Sequence, residues 1–110
     1  MTKELPVQIQ TILKETSVEL KSLYSNRLKE IILFGSYARG DFMNESDIDL
    51  MVLLENINDI ATESNKYRSL ISRISLKYDT VISVIPFGFD EFHQKSTPLI
   101  LNIKNEGIRL

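Results

Sequence analysis

The chain of 110 residues contains no cysteine, no tryptophan and a single histidine, His93. The missing cysteines exclude disulfide scaffolds, thiolate metal sites and cysteine nucleophiles, and one histidine cannot build a histidine-rich metal centre. No apolar run approaches the roughly 18 residues that a membrane span needs, and the N-terminal sequence MTKELPVQIQ lacks the apolar core of a signal peptide. We therefore expect a cytoplasmic protein without membrane contacts.

The chain also lacks an excess of charge of either sign. Its 13 basic and 15 acidic residues give a net charge of −2, so it has no strong field to attract a nucleic-acid backbone or an anionic membrane. Direct nucleic-acid binding is therefore disfavoured, although local charges can still hold a small polyanion. A hydrophobic fraction of 43% and a charged fraction of 25% are ordinary for a globular protein. At this length we expect a single α/β domain over residues 1–110.

Apolar periodicity predicts helices that alternate with three core strands. The predicted strands are short apolar or β-branched runs: Ile31–Phe34, Ile48–Leu54 and Thr80–Ile85, the last of which ends before Pro86. The predicted helices carry an apolar stripe or a capping residue: Leu5–Tyr24, a helix from Asn58 or Asp59 to about Tyr78, Glu91–Lys95 after Asp90, and a helix that begins at Thr97-Pro98 and closes near Gly107. The tail Ile108–Leu110 is expected to add an edge strand. Together these elements indicate a small sheet with helices packed against it.

Gly35 and Ser36 directly follow the first predicted strand. A glycine and a serine that open a short helical turn present free backbone N–H groups and a hydroxyl at the positive end of a helix, which suits phosphate oxygens. Arg39 lies one helical turn beyond Ser36 and can reach the same phosphates as a forked donor. The turn also contains Tyr37, whose ring can either stack on a nucleotide base or pack in the core.

Two aspartates, Asp47 and Asp49, open the second strand, with ten residues between Ser36 and Asp47. Strand alternation places both on one face, with Cα atoms about 6.5–7 Å apart. The two carboxylates of such a pair repel each other unless a cation lies between them. Hard oxygen ligands of this kind suit Mg²⁺ or Mn²⁺. Because Mg²⁺ is usually held by carboxylates together with substrate phosphates, the two features combine into a nucleoside triphosphate site. The alternative is structural: a tight turn at Gly35, Asp47 as a cap and Asp49 solvated at a strand end.

The pattern Gly-Ser, ten residues, Asp-x-Asp resembles that of the minimal nucleotidyltransferases in the DNA polymerase β-like superfamily. The resemblance covers nearly the whole chain, although only the motif is specific. It implies a polymerase β palm-like fold, with a small mixed β-sheet and packed helices, and two divalent metal ions, Mg²⁺ or Mn²⁺. It also implies transfer of a nucleoside monophosphate, in the first instance AMP from ATP, to an acceptor hydroxyl. By position, Gly35 and Ser36 would hold triphosphate oxygens, and Asp47 and Asp49 would be the catalytic metal ligands.

One position departs from the family pattern. Active members commonly carry a third carboxylate on the next core strand, where it completes the metal site, and this chain has Ser83 at the matching position. A serine can neither neutralise a metal ion nor act as a ready base at neutral pH. Asp79 lies four residues earlier, about 13 Å along an extended strand. We therefore favour a turn role for Asp79 over the role of a third metal ligand.

A domain of this size has little surface with which to hold an acceptor, so we expect a partner protein. The resemblance implies a small helical partner of the HEPN type, a ribonuclease toxin to which this chain is the antitoxin. Adenylylation of that toxin is the implied reaction, with a tyrosine as one candidate acceptor. Ser83 favours a second function, that of a nucleotide-binding regulatory or antitoxin subunit without turnover.

Overall fold

Four strands form one mixed sheet in the computed structural model, which describes residues 4–110. They are β1 (Leu28–Phe34), β2 (Ile48–Leu54), β3 (Ile82–Gly88) and β4 (Ile108–Arg109). Their order across the sheet is β3-β2-β1-β4. β1 runs antiparallel to both β2 and β4, whereas β2 and β3 are parallel. The first three residues of the predicted domain lie outside the described residues.

Helices cover both faces of this sheet. Within the described residues they are α1 (Val7–Tyr24), α2 (Ser36–Arg39), α3 (Ile60–Tyr78), α4 (Phe89–Gln94) and α5 (Pro98–Glu106), and a 3₁₀ turn at Ser25–Arg27 joins α1 to β1. α1 and α3 pack on one face of the sheet, and α4 and α5 pack on the other. None of these helices is long and apolar enough to span a membrane. The mixed α/β architecture is the one that the sequence predicts.

Strand β2 lies between two hydrophobic cores. Its even-numbered residues face α1 and α3, and its odd-numbered residues face α4 and α5. Met51 and Leu53, for example, are fully buried in the same cluster as Phe92 and Ile103. Full burial of a large apolar side chain contributes roughly 2 kcal/mol, so most of β2 serves to stabilise the fold. Asp49 is the one residue of β2 that is not buried, and it lies on the α4 and α5 side.

Most of the predicted elements are confirmed. β2 has the predicted bounds. α3 follows an Asp59 cap, whose side chain accepts a hydrogen bond from the Ala61 N–H, and ends at Tyr78. α5 begins at Pro98 after the Thr97 cap. The tail forms the edge strand β4 beside β1, so this edge also follows the prediction.

Two elements near the N-terminus begin at different residues from those predicted. α1 begins at Val7 rather than Leu5, because the proline between them is favoured at the start of a helix and not within it. β1 begins at Leu28 rather than Ile31. Lys29 and Glu30 are polar and separate Leu28 from the apolar run that begins at Ile31, but Leu28 and Glu30 pair with Leu54 and Leu53 at the end of β2. Tertiary pairing therefore extends this strand.

The predicted end of the third strand is wrong. The prediction ends it at Ile85, whereas β3 continues through Pro86 to Gly88. Proline has no N–H to give to a sheet, but it is tolerated on an edge strand, and β3 is an edge that pairs with β2 alone. The longer strand is followed at once by α4, which begins at Phe89. Asp90 therefore lies in the first turn of α4 and not at its cap.

A buried ion pair fixes the connection between β2 and α3. Glu63 is 3% exposed and pairs with Arg27, whose guanidinium also donates hydrogen bonds of 3.2 Å to the carbonyl oxygens of Glu55 and Asn56. The Tyr24 hydroxyl donates to the Glu63 carbonyl oxygen at 3.2 Å. The hydrogen bonds from Arg27 hold the pKa of the Glu63 carboxyl below its ordinary value. These contacts join the end of α1, the loop after β2 and the first turn of α3.

Replacing this carboxylate is expected to destabilise the fold in a pH-dependent way. Glu63→Gln should cost about 2 kcal/mol near neutral pH, because it leaves the Arg27 guanidinium without its carboxylate. The lowered pKa means that the ionised carboxylate stabilises the fold at pH values above the ordinary 4.5. This contribution is lost as the pH falls through the lowered pKa. The difference in unfolding free energy between wild type and variant, measured with urea, should therefore shrink on acidification.

Glu55→Gln is the matched control. The Glu55 carboxylate is half-exposed and lies 3.2 Å from Lys29 Nζ, so its loss should cost less than about 0.5 kcal/mol. Equal losses in the two variants, or a difference that does not change with pH, would contradict the assigned role of the buried pair.

Candidate functional site

The chain turns sharply at Gly35, directly after β1. Gly35 has φ 79° and ψ −155°, and the positive φ favours glycine. Its carbonyl oxygen accepts hydrogen bonds from the N–H groups of Ala38 and Arg39 at 3.1 and 3.0 Å, which close the short helix α2. The first N–H groups of a helix have no partner within the helix. Those of Ser36 and Tyr37 therefore have no partner within α2.

The Asp49 carboxylate lies against this turn. A Cβ atom on Gly35 would collide with Asp49 Oδ2 and would lie 3.2 Å from its Cγ. The strand pairing explains the approach, because Asp49 is in register with Phe34, the last residue of β1. Glycine is thus required here for two reasons, the positive φ and the space that the carboxylate occupies.

An open cleft of about 530 Å³ brings the predicted site residues together. It is lined by all five of them: Gly35, Ser36, Arg39, Asp47 and Asp49. Asp47 immediately precedes β2 and Asp49 is its second residue, so strand alternation directs both carboxylates to one face. The volume of the cleft lies within the range of small-molecule binding sites. The residues of the motif therefore come together at a single site and do not form separate turns.

The surroundings of Asp49 disfavour its negative charge. Burial raises the pKa of the Asp49 carboxyl above its ordinary value, and the neighbouring charge of Asp47 raises it further, whereas Arg39 lowers it. The net direction is upward, because burial and the charge of Asp47 together outweigh the effect of Arg39. A bound cation would favour the ionised carboxylate.

Arg39, the last residue of α2, is the cation of the cleft. Its Nε lies 3.2 Å from Asp41 Oδ2, and its terminal nitrogen Nη1 lies 3.9 Å from Glu106 Oε2. The three side chains are 42–63% exposed, and exposed ion pairs contribute less than about 1 kcal/mol. The guanidinium can therefore exchange these carboxylates for the phosphates of a ligand at little cost.

Asp47 and Asp49 are the pair of carboxylates beside the Gly35 turn that could hold a metal ion, whereas the third carboxylate lining the cleft, that of Glu106, lies against Arg39. In residues 4–110, no group of three or more His, Asp or Glu side chains is placed to hold a metal ion. Mg²⁺ commonly binds one or two carboxylates and completes its coordination with water and substrate phosphates. A pair of carboxylates beside the Gly35 turn fits this mode, in which metal and triphosphate bind together.

Ser83 lies beside Asp49, where the family pattern has a third carboxylate. The parallel pairing of β2 with β3 puts the two residues in register, so their side chains lie on the same face of the sheet. Asp79 is exposed and ends α3 with φ 51° and ψ 53°, and its N–H donates to the carbonyl oxygens of Leu76 and Ser75. It is a helix C-cap and is not among the residues that line the cleft.

The sequence does not predict one wall of the cleft. Leu99, Asn102 and Glu106 of α5 line it together with the aspartates. No motif marks these residues. Their helical spacing shows that they share a face of α5, but that face meets the cleft only because Ile100 and Ile103 are buried against the sheet. This packing joins residues far apart in the chain, and it leaves no local signal.

Tyr37 packs in the core. It is 4% exposed, and its ring stacks on that of Phe42 with centroids 4.7 Å apart. Of the two roles that the sequence leaves open for this ring, the structure favours packing over contact with a base. A base in the cleft must therefore contact other side chains.

Comparison with known proteins identifies the family. The family model of the nucleotidyltransferase domain matches residues 13–110. The chain belongs to this family. The nucleotidyltransferase is 35% identical over 106 residues to a protein of Methanocaldococcus jannaschii, an alignment that covers 94% of this chain and 100% of that protein. A second protein of the same organism is 41% identical over 83 residues, which cover 76% of this chain and 77% of that protein. Both are named as candidate protein adenylyltransferases.

Solved structures share the fold at lower identity. A candidate nucleotidyltransferase from Sulfolobus solfataricus is 21% identical with a TM-score of 0.67, over 94% of this chain and 79% of that one. A chain of a toxin–antitoxin complex with AMP-PNP is 23% identical with a TM-score of 0.60, over 87% and 70% of the two chains. A chain of the complex between a tri-AMPylated HEPN toxin of Shewanella oneidensis and its antitoxin is 20% identical with a TM-score of 0.51, over 87% and 69%. The predicted nucleotidyltransferase fold is therefore confirmed.

The nucleotidyltransferase should not tolerate a side chain at Gly35. Gly35→Ala is expected to lower the free energy of unfolding by about 2 kcal/mol or more, because it strains a positive φ and displaces the Asp49 carboxylate. Gly88→Ala is the matched control, since Gly88 has φ −70° and a Cβ there would make an ordinary 3.6 Å contact with Glu91 Cβ. It should stay within about 1 kcal/mol of wild type. Thermal unfolding of both variants tests this, and equal losses would refute the close approach.

Proposed function

We propose that this nucleotidyltransferase transfers AMP from ATP to a hydroxyl group of a partner protein, with Mg²⁺ or Mn²⁺ as its cofactor. The cleft in which Asp47 and Asp49 meet the Gly35 turn carries the proposal, because it combines a place for phosphates with a place for a divalent cation. The names of the two relatives from M. jannaschii support AMP as the transferred group and a protein as the acceptor.

The turn after β1 binds the triphosphate in this proposal. The free N–H groups of Ser36 and its neighbour, together with the Ser36 hydroxyl, are donors that suit phosphate oxygens. Arg39 lies in the same cleft and adds a forked, charged donor. Because its present ion pairs are exposed, the guanidinium is free to take up the phosphates.

Asp47 and Asp49 are the catalytic residues of the proposal and hold the divalent metal. A bound metal supplies charge neutralisation for the phosphates during transfer. The acceptor oxygen forms a bond to the α-phosphorus, the bond between that phosphorus and the bridging oxygen breaks, and pyrophosphate leaves. The acceptor proton passes to solvent. Such a reaction asks the protein mainly for positioning and electrostatics, which a small domain can provide.

A helical HEPN-type toxin is the proposed partner, and one of its tyrosines is the proposed acceptor. Support comes from the structural neighbours, one of which contains a tri-AMPylated HEPN toxin together with its antitoxin. The chain would then act as a cytoplasmic antitoxin that inactivates the toxin by adenylylation. Direct binding of nucleic acid forms no part of the proposal.

AMP transfer should depend on both aspartates. With ATP labelled on the α-phosphate, Mg²⁺ and a HEPN-type toxin from the same organism as the acceptor, we expect label on the toxin. Asp47→Asn and Asp49→Asn should each reduce transfer about 100-fold or more, because lost charge neutralisation is worth several kcal/mol and each 1.4 kcal/mol is a factor of ten. Asp79→Asn, outside the cleft, should transfer at the wild-type rate. ATP binding without transfer would contradict the proposal and favour a regulatory subunit.

Ser83→Asp should increase turnover. It places a carboxylate beside Asp49 and supplies a third metal ligand, so we expect transfer about tenfold faster. Without divalent ions the same variant should be less stable than wild type, because like charges directly opposite on neighbouring strands repel. Ser83→Ala is the control and should leave the rate unchanged. Transfer by Ser83→Asp that is no faster than by Ser83→Ala would show that the site does not lack a third carboxylate.

A further inference from the structure

The residues of α5 that face the cleft form a wall with a polarity gradient. Glu106, at the C-terminal end of α5, lies 3.9 Å from Arg39, so this end of the wall adjoins the charged side of the cleft. Leu99 lies seven residues earlier, about 10 Å along the helix axis at 1.5 Å per residue, and Asn102 lies between them. The wall therefore runs from charged through polar to apolar.

Leu99 lies at the apolar end of the wall, and its side chain is not buried in the hydrophobic core. Its side chain is 52% exposed and lines the cleft. Its neighbour Ile100 is 2% exposed and Ile103 is 3% exposed, so the buried side of α5 is already occupied by other residues. The Thr97 cap and Pro98 at the start of α5 fix the first turn. The backbone position of Leu99 beside the cleft is thus set by the start of α5.

Asn102 provides a hydrogen-bonding group in the middle of the wall. An amide side chain offers donors on its nitrogen and an acceptor oxygen side by side. Within residues 4–110 this amide makes no hydrogen bond to another side chain or to the backbone, so it is available to a ligand. The edge of adenine carrying its amino group and N7 offers one donor and one acceptor, which an amide matches with two hydrogen bonds. The corresponding edge of guanine offers two acceptors, which suit Arg or Lys instead.

We infer that the α5 wall is the nucleobase subsite, with Leu99 packing on the face of the base and Asn102 selecting adenine over guanine. A nucleoside triphosphate has the same order of polarity as the wall, with charged phosphates, then the sugar, then a flat base with apolar faces. Arg39 fixes the phosphate end, and the buried Tyr37 cannot serve as the base platform. This inference rests on the proposed function, since it extends the same nucleotide site.

Binding measurements on the whole chain separate the base from the phosphates. Calorimetry with Mn²⁺ would compare non-hydrolysable analogues of ATP and GTP with inorganic tripolyphosphate, which has no base. Wild type should bind the ATP analogue more tightly than the other two ligands. Asn102→Ala should weaken the ATP analogue about tenfold, the scale of a lost two-bond base contact, and should bring the ATP and GTP analogues close to each other. Leu99→Ala should weaken both analogues about threefold.

The same helix supplies matched controls. Asn105 and Leu101 are exposed residues of α5 that do not line this cleft, so Asn105→Ala and Leu101→Ala should bind all three ligands within twofold of wild type. Tripolyphosphate binding should be unchanged in Asn102→Ala and Leu99→Ala. All four variants change exposed residues, and circular dichroism would verify that they fold.

Three results would overturn the inference while leaving the proposed function in place. The first is wild-type binding of tripolyphosphate as tight as that of the ATP analogue. The second is unchanged binding of the ATP analogue by Asn102→Ala, which would assign the wall to the acceptor side. The third is that Asn102→Ala or Leu99→Ala weakens the binding of the ATP analogue and of tripolyphosphate equally. If wild type binds none of the three ligands in a manner that depends on Asp47 and Asp49, the proposed function itself fails.

Discussion

The contact between the Asp49 carboxylate and the backbone of Gly35 organises the whole site. Antiparallel pairing of β1 with β2 places Asp49 opposite Phe34. The chain must therefore turn at Gly35, directly beside the Asp49 carboxylate. Only a residue without a Cβ makes that turn. The turn opens α2 with its unpaired N–H groups, and strand alternation adds the Asp47 carboxylate to the same face. The proposed phosphate donors and the proposed metal ligands thus become neighbours through one backbone constraint.

The packing of β2 explains why such a small chain can hold an electrostatically unfavourable pair. All residues of β2 except Asp49 are buried in one of the two hydrophobic cores. The strand is therefore held rigidly, while Asp49 remains partly exposed. Burial and the charge of Asp47 both raise the pKa of Asp49, so its ionised form is disfavoured in the absence of a cation. Ser83 leaves the adjacent position on β3 without a further charge. In the proposed function, the substrate phosphates supply the remaining metal ligands.

The fold and the motif could be predicted from sequence because both leave local signals. Local sequence patterns directly predict three elements: α3 by its apolar stripe, α5 by its Thr97-Pro98 start, and β2 by its apolar run. The end of β3 could not be predicted, because tolerance of Pro86 depends on its position at a sheet edge. The start of β1, where the polar Lys29 and Glu30 follow Leu28, likewise depends on its partner strand. The α5 wall could not be predicted either, since its placement follows from the burial of Ile100 and Ile103 between elements distant in sequence.

The most direct test of the central claim is a crystal structure with Mn²⁺ and a non-hydrolysable ATP analogue, in which anomalous scattering locates the metal. We predict a Mn²⁺ peak bound by carboxylate oxygens of both Asp47 and Asp49, at distances of about 2.1–2.2 Å, and by phosphate oxygens of a nucleotide bound at the Gly35 turn. A nucleotide bound there without metal at the two carboxylates, or a metal bound elsewhere in the protein, would contradict it.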